Sequence, residues 1–243
     1  MDNSRIVALA RTHLAAAASG NGRAAKALRA GANALAGEEG FLGYALHEER
    51  TLFRETDPSV SSSFLELAFF RNVVPQAATG WALARPEADV ELLRVDLIDR
   101  TPGSFHGPLL GSQEHLSRPG FMVSLEYIDV RFSELDRYRD VMKGYCGPAA
   151  AQLVEAGTLG SFRALESVGT LFRSDKAQPG WNQLHLFEVS TEALDSFFAE
   201  FDRAIRNASG SDFATVFGGL DEIRSVPRWV FCSLEQENTL LPS

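Results

Sequence analysis

Three segments in the second half of the chain have the alternating, β-branched and aromatic pattern of strands. They are "FMVSLEYIDVR" (121–131), "GSFRALESVGTLFR" (160–173) and "WNQLHLFEV" (181–189). The turn-like stretch "SDKAQPG" separates the last two, so together they predict a hairpin. A fourth segment, "RWVFCSLEQ" (228–236), predicts a further strand near the end of the chain.

Helical periodicity fills the gaps between these strands. In "SELDRYRDVMKGYCGPAAAQLVEAG" (133–157) apolar residues recur at helical spacing, with Ser133 as the expected N-cap and Gly157 as the expected end. The Gly and Pro that follow Cys146 predict a break in this helix. A second helix is predicted over "STEALDSFFAEFDRAIRNASG" (190–210). Its apolar stripe is Leu194, Phe197, Phe198, Phe201 and Ile205. The resulting order is β-α-β-β-α-β, the ferredoxin-like unit.

The tetrapeptide "TLFR" occurs twice, at Thr51–Arg54 and at Thr170–Arg173. Alignment of the two copies without gaps places "FLELAFF" (64–70) on "QLHLFEV" (183–189), so the first half is predicted to repeat the unit. Its strands and helices would be "RIVALART", "GRAAKALRAGANALAG", "FLGYALHEERTLF", "SSFLELAFF", "VPQAATGWALARPEA" and "VELLRVDLIDR". The repeat favours a strand at the start, whereas the alanine content of residues 5–18 also favours a helix.

The pattern divides the chain into a first repeat at residues 1–99, a linker at 100–119 and a second repeat at 120–243. The linker is rich in Gly, Pro and Ser. It also contains Phe105, Leu109 and Leu110, which a fully exposed linker would not need. We therefore expect it to pack across a sheet edge or a pocket mouth.

Composition excludes several classes of partner. The 243 residues are 45% hydrophobic and 23% charged, as in globular proteins. The net charge of −9 argues against nucleic-acid and anionic membrane surfaces. No apolar run reaches the roughly 20 residues of a membrane span. Arg11 and His13 interrupt the N-terminal apolar stretch, which argues against a signal peptide, and two cysteines make no disulfide framework. The expected location is cytoplasmic.

The segments "EYIDVRFSELDRYRDVM" (126–142), "GSFRALESVGTLFR" and "WNQLHLFEVS" resemble the dimeric α+β barrel superfamily in its fused tandem form. The nearest groups are antibiotic-biosynthesis-monooxygenase-like, EthD-like and NIPSNAP-like proteins. The resemblance implies an α+β fold of two ferredoxin-like repeats whose sheets face each other as a barrel, with a pocket enclosed between them. It also implies a range of activities: cofactor-free oxygenases, polyketide cyclases, lactone isomerases, haem enzymes and small-molecule binders, some in secondary metabolism.

Candidate site residues follow from strand alternation, which separates Gln183, His185 and Phe187 from the two leucines between them. If the leucine face packs on helices, His185 points into the barrel, where an imidazole is suited to general acid/base work. The same alternation predicts that Glu126 and Arg163 converge on His185 as catalytic residues. The alternatives are a hydrogen-bonded structural histidine and an ion pair that only stabilises. Predicted substrate-binding residues are Tyr44, Glu66, Trp181 and Phe187.

The predicted function is that of an enzyme acting on a small apolar or aromatic metabolite by cofactor-independent general acid/base chemistry. The reaction would be a cyclisation, isomerisation, elimination or oxygenation. No metal-ligand spacing is present among the five histidines. A non-enzymatic small-molecule-binding protein and a haem enzyme with a pocket histidine as axial ligand are the alternatives. No nucleic-acid or membrane partner is expected, and a homodimer is compatible with this interpretation.

Overall fold

The computed structural model describes residues 5–15, 21–58, 62–86, 90–107, 120–177 and 180–238. Within them the strands are β1 (Ile6–Ala15), β2 (Phe41–Glu55), β3 (Phe64–Arg71), β4 (Val90–His106), β5 (Phe121–Val130), β6 (Leu159–Arg173), β7 (Gln183–Ser190) and β8 (Arg224–Asn238). The helices are α1 (Asn21–Ala32), α2 (Gln76–Leu83), α3 (Leu135–Val141), α4 (Gly147–Glu155), α5 (Phe197–Ser209) and α6 (Phe213–Asp221). The order in each half confirms two ferredoxin-like repeats.

All eight strands form one closed antiparallel barrel in the order β1-β3-β2-β8-β5-β7-β6-β4. Each repeat contributes four neighbouring strands, and the repeats join where β2 pairs with β8 and β4 with β6. The two TLFR copies occupy equivalent places at these seams. Leu52 pairs with Val230, and Phe172 pairs with Val95. The repeated tetrapeptide therefore marks where each half contacts the other.

Several local predictions are confirmed and others are wrong. The chain start is a strand, not a helix, since β1 pairs along its length with β3 and β4. Gly157 ends the α4 helix in a left-handed conformation with φ of 81°. Ser133 is not an N-cap, because it lies within a short 3₁₀ turn, Phe132–Glu134, that precedes α3.

The predicted linker is partly strand. β4 continues through His106, so residues 100–106 belong to the barrel, and Phe105 packs against its interior. Leu109 and Leu110 lie outside the described residues. The division at residues 99 and 120 therefore stays a prediction.

The predicted break at Cys146 is instead a π-helical turn, Met142–Cys146, that joins α3 directly to α4. Such turns are often found at functional sites. Immediately after it, Gly147 lies against the backbone of β4. A Cβ atom at residue 147 would stand 2.0 Å from the carbonyl oxygen of Gly103, so only glycine fits here. This close approach fixes the π turn on the sheet.

The barrel interior is a packed apolar core. Every strand contributes a buried side chain to it: Ile6, Ala45, Leu65, Ile98, Leu125, Leu165, Leu184 and Val230. The expectation of a pocket between the sheets, with His185 pointing into it, is therefore wrong. Alternation along β7 was predicted correctly, but Leu184 and Leu186 face the interior while His185 and Phe187 face the helices.

The helices cover the outer faces of the barrel. Those of the first repeat pack on the outer face of β1 to β4. Those of the second repeat pack on the outer face of β5 to β8. None of the helices in the described residues combines the length and apolar character that a membrane span requires.

Candidate functional site

A cavity of about 540 Å³ lies between the outer face of the second repeat's sheet and its helices. This volume falls within the roughly 300–1,000 Å³ of small-molecule sites. Ten of its lining residues are phenylalanine or tryptophan: Phe53, Phe162, Phe187, Phe197, Phe198, Phe201, Phe213, Phe217, Trp229 and Phe231. The polar lining consists of Arg54, Ser124, Glu126, His185, Asp221 and Arg224, with the sulfur atoms of Met122, Met142 and Cys146 nearby.

The helices shape this cavity with stacked rings. On α5, Phe197 and Phe201 are stacked with centroids 5.8 Å apart, and on α6 Phe213 and Phe217 are stacked at 4.0 Å. Leucine or alanine at these positions would pack more closely against the sheet. The large, rigid rings instead line the apolar part of the cavity.

The first repeat supplies part of the cavity wall. Because β2 pairs with β8, the first TLFR copy lies beside the cavity, and both Phe53 and Arg54 line it. The Phe53 ring is 4.5 Å from the Trp229 ring, and Trp229 donates a 2.6 Å hydrogen bond from Nε1 to Ser124. The cavity thus depends on both halves of the chain.

A chain of polar side chains leads from the cavity into the protein. Glu126 on β5 and His185 on β7 are directly opposite each other in register, and Glu126 Oε2 lies 3.3 Å from His185 Nδ1. On its other side, His185 Nε2 is 2.5 Å from Tyr138 Oη of α3. A carboxylate can only accept, so Nδ1 carries the imidazole proton and donates to Glu126. Nε2 then accepts from the Tyr138 hydroxyl.

The pKa values agree with this arrangement. Burial lowers the pKa of His185, and the neighbouring Glu126 only partly opposes that effect, so the imidazole is neutral at pH 7. Burial also raises the pKa of Tyr138, which keeps the phenol protonated and able to donate. Both side chains are almost completely buried, whereas Glu126 keeps 12% of its side chain exposed. Of these three side chains, Glu126 is therefore the one best placed to contact a ligand.

Arg224 and Cys146 complete the inner end of the cavity. Arg224 begins β8 and lies close enough to the Tyr138 phenol to lower its pKa by a hydrogen bond and by charge. Its guanidinium is 5.3 Å from the centroid of Phe217. Burial raises the pKa of the Cys146 thiol to about 12, so this sulfur is not a thiolate nucleophile at neutral pH.

Of the predicted catalytic residues, Glu126 and His185 meet and Arg163 does not join them. Arg163 pairs in register with Leu186, whose side chain faces the barrel interior. It contacts Glu188 at 3.5 Å. The predicted convergence of Arg163 with the other two is therefore wrong, because a strand places successive side chains on opposite faces.

Of the predicted substrate-binding residues, only Phe187 lines the cavity. Trp181 is buried in the barrel interior, where the Arg94 guanidinium lies 4.0 Å from its ring centroid and Tyr127 packs at 5.7 Å. It is a core residue.

Glu66 and Tyr44 belong to a closed polar cluster in the first repeat. The Glu66 carboxylate accepts from Tyr44 Oη at 2.6 Å, pairs with Arg11 at 2.9 Å and contacts His13 Nε2. Burial alone would raise the pKa of Glu66, but His13 and Arg11 bring it below its ordinary value. Trp81 covers Arg11 at 4.5 Å. The carboxylate is thus fully satisfied within the protein.

The two clusters occupy equivalent sheet positions. Arg11 opposes Glu66 in register as Glu126 opposes His185. In the first repeat the opposed side chains pair with each other beneath α1 and α2, and Trp81 of α2 covers Arg11. In the second repeat the opposed side chains border a cavity, so the two equivalent positions differ within the described residues.

Two residues of the site were missed by sequence reasoning. Tyr138 lies in the segment predicted to be helical (133–157), and its spacing there matches that of core residues. Arg224 follows α6 directly at the start of β8, and no motif marks it. A buried tyrosine needs a hydrogen-bond partner, which is the one signal that pointed to Tyr138.

A haem group fits these residues poorly. His185 is the histidine that lines the cavity among the described residues, and both of its ring nitrogens are already engaged by Glu126 and Tyr138. Axial ligation through Nε2 would require the Tyr138 contact to break. Within the same residues, no group of three or more His, Cys, Asp or Glu side chains is arranged to hold a metal ion. Cofactor independence stays a prediction.

No protein-family model and no curated protein matches the chain. Solved structures do resemble it. A "Putative monooxygenase" from Fusobacterium nucleatum has a TM-score of 0.55 at 12% identity, over 98% of this chain and 96% of that one. An anthrone oxidase-like protein has a TM-score of 0.52 at 9% identity, and the match covers 99% of this chain and 95% of that one. A chlorite dismutase variant from Candidatus Nitrospira defluvii has a TM-score of 0.51 at 11% identity, and the match covers 96% of this chain and 92% of that one. These likenesses confirm the fold, an α+β barrel of two ferredoxin-like repeats.

Proposed function

We propose that this protein is a cofactor-independent enzyme that removes a proton from a flat aromatic metabolite in the cavity of the second repeat. The observation behind the proposal is the chain Glu126–His185–Tyr138 at the inner wall of an aromatic cavity of about 540 Å³. Buried polar chains of this kind are costly unless satisfied, and they set the protonation state of the group that meets a ligand.

The cavity selects for planar apolar substrates. Its walls carry phenylalanine and tryptophan rings from six elements, and such rings favour stacked or edge contacts with other aromatic systems. Two of the polar lining groups, Glu126 and His185, lie together on adjacent strands. A bound substrate would therefore present its reacting atom to Glu126 while its rings fill the apolar space.

Glu126 acts as the general base in this proposal, and His185 positions it. Because His185 donates from Nδ1 and is itself held by Tyr138, the imidazole cannot turn away, and the carboxylate keeps one orientation. The earlier expectation that His185 itself exchanges a proton with substrate is less suited to this geometry, since Nε2 points to Tyr138 and away from a ligand.

The proposed reaction is the oxygenation of an acidic methylene group by dioxygen. Glu126 accepts the proton, and the carbanion left behind is oxidised by O₂. One oxygen atom becomes the product carbonyl, and the other leaves as water with the two methylene hydrogens. Support comes from the neighbours described as a "Putative monooxygenase" and an anthrone oxidase-like protein, which share the fold. Isomerisation or cyclisation would use the same first step.

The test is oxygen uptake with anthrone as substrate, measured for the purified protein and for Glu126→Gln. We expect consumption of one O₂ per anthraquinone formed, and a rate lower by about 10²–10⁴-fold in the variant. Glu192→Gln is the matched control, because it makes the same change at an exposed residue away from the cavity. Equal rates in all three proteins would refute the proposal.

The same experiment separates an enzyme from a binding protein. A non-enzymatic binder with this cavity would quench its tryptophan fluorescence on adding anthrone, since Trp229 lines the wall, yet would show no uptake above the spontaneous rate. That outcome would favour a non-enzymatic small-molecule-binding protein. An absorption band of haem in the purified protein would favour a haem enzyme.

A further inference from the structure

Arg224 lines the cavity as a cation without a carboxylate partner among the described residues. Its Nε atom is buried and has no hydrogen-bond partner there. Its side chain contacts the ring of Phe217 and the phenol of Tyr138. Arg11, Arg94 and Arg163 also have an unpartnered Nε, so this atom alone does not set Arg224 apart. What does is that its charge lines a cavity without an ion pair, an arrangement that a ligand oxygen can complete.

Other enclosed arginines do have a carboxylate partner. The buried Arg11 and Arg94, and Arg228 with 11% of its side chain exposed, each form an ion pair at 2.9 Å or less. The buried Arg163 contacts Glu188 at 3.5 Å. The fold therefore pairs buried guanidinium groups wherever it only needs stability. Arg224 differs from these arginines, because its side chain lines the cavity and forms no ion pair with a carboxylate of the described residues.

We propose that Arg224 binds an oxygen of the substrate and stabilises the negative charge that forms on that oxygen. This inference rests on the proposed function, and it names the substrate class: an aromatic ketone whose acidic C–H bond is conjugated to the carbonyl oxygen. When Glu126 takes the proton, the C–H electron pair moves onto the carbonyl oxygen as an enolate. Arg224 and Glu126 both line the inner wall of the cavity, one as donor and one as acceptor.

The arrangement accounts for the division of charge in the cavity. Glu126 alone would repel the anion that its own action creates. A guanidinium in the same largely apolar cavity offsets that repulsion. Stabilisation of the developing oxyanion is the general means by which such sites lower a barrier.

The test measures binding and needs no turnover. The probes are anthracene-9-carboxylate, whose anionic oxygens stand in for the enolate, and 9-anthracenemethanol, a neutral molecule of similar shape. Fluorescence titration gives the two dissociation constants for the native protein, for Arg224→Gln and for Arg224→Lys. We expect Arg224→Gln to lower the preference for the anion by about 10- to 100-fold, the loss that follows from removing a charged hydrogen bond. Arg224→Lys keeps the charge and should retain most of the preference.

Arg203→Gln is the control, since Arg203 is exposed on α5 and outside the cavity lining. An unchanged ratio in Arg224→Gln would overturn the inference, as would an equal weakening of both probes, which indicates a structural role. The two proposals can fail separately. If Glu126→Gln abolishes oxygen uptake while Arg224→Gln keeps the anion preference, only this inference falls. The reverse result removes only the proposed function.

Discussion

The substitution Tyr138→Phe isolates one hydrogen bond of the candidate site. Phenylalanine keeps the ring, and therefore the stacking on His185 with a centroid distance of 6.2 Å and an angle of 26°. It removes Oη, which lies 2.5 Å from His185 Nε2. Tyr138 is completely buried and His185 is 3% exposed, so water has little access to replace the lost donor.

The expected cost follows from leaving a buried acceptor unsatisfied, about 1–3 kcal/mol. Taking about 2 kcal/mol, a protein of this length should lose roughly 4–8 °C in melting temperature, since about 1 kcal/mol shifts it by about 2–4 °C at this size. Oxygen uptake with anthrone should also fall, because His185 no longer holds Glu126 in one orientation.

The assay is thermal and urea unfolding of Tyr138→Phe beside Tyr145→Phe. Tyr145 belongs to the adjacent π turn and is only partly buried, so its loss of a hydroxyl should change stability by less than about 0.5 kcal/mol. If the two variants were equally stable, the hydrogen-bonded chain described for this site would be incorrect.

Three further predictions concern Gly147, His185 and Arg163. Gly147→Ala places a Cβ atom 2.0 Å from the Gly103 carbonyl oxygen and should destabilise by about 1–3 kcal/mol or more in urea unfolding, whereas Gly144→Ala in the same turn meets no atom within 4 Å and should be neutral or stabilising. His185 has a folded pKa below its unfolded value, so its contribution to stability is present above about pH 6.5 and is lost as the pH falls from there toward the folded pKa. His185→Gln should therefore flatten the pH dependence of the unfolding free energy below about pH 6.5, by up to about 1.4 kcal/mol per pH unit, and an unchanged slope would count against a buried neutral imidazole. Arg163→Met should lower the melting temperature yet leave anthracene-9-carboxylate affinity within about twofold, because Arg163 lies on the barrel side; a large loss of affinity would contradict the assigned face.

Local periodicity was sufficient to predict the strands, the helices and the repeat, because each depends on patterns within about 10–20 residues. The faces of the strands were not predictable in the same way. On β7 both faces are buried and apolar, with Leu184 and Leu186 on one and Phe187 and Val189 on the other. Hydrophobicity then cannot distinguish the face toward the barrel interior from the face toward the helices. The prediction therefore exchanged the two faces and placed the pocket on the wrong side of the sheet.

The pairing of Glu126 with His185 was predictable, since the first and third strands of a ferredoxin-like unit are neighbours and both residues have the same parity. What completes the site comes from elsewhere. Tyr138 reaches His185 from a helix, and Arg224 arrives at the end of a long loop-helix excursion. Contacts between distant segments leave no local pattern, so packing alone reveals them.

The central claim is that Glu126 removes a proton from a substrate in the aromatic cavity, and anaerobic deuterium exchange tests it most directly. Anthrone is incubated in D₂O without oxygen, and loss of the methylene proton signal is followed by NMR. The native protein is expected to accelerate exchange above the spontaneous rate. The Glu126→Gln variant is expected to reduce that acceleration by about 10²–10⁴-fold while still binding anthrone. Native-rate exchange in Glu126→Gln would contradict the account.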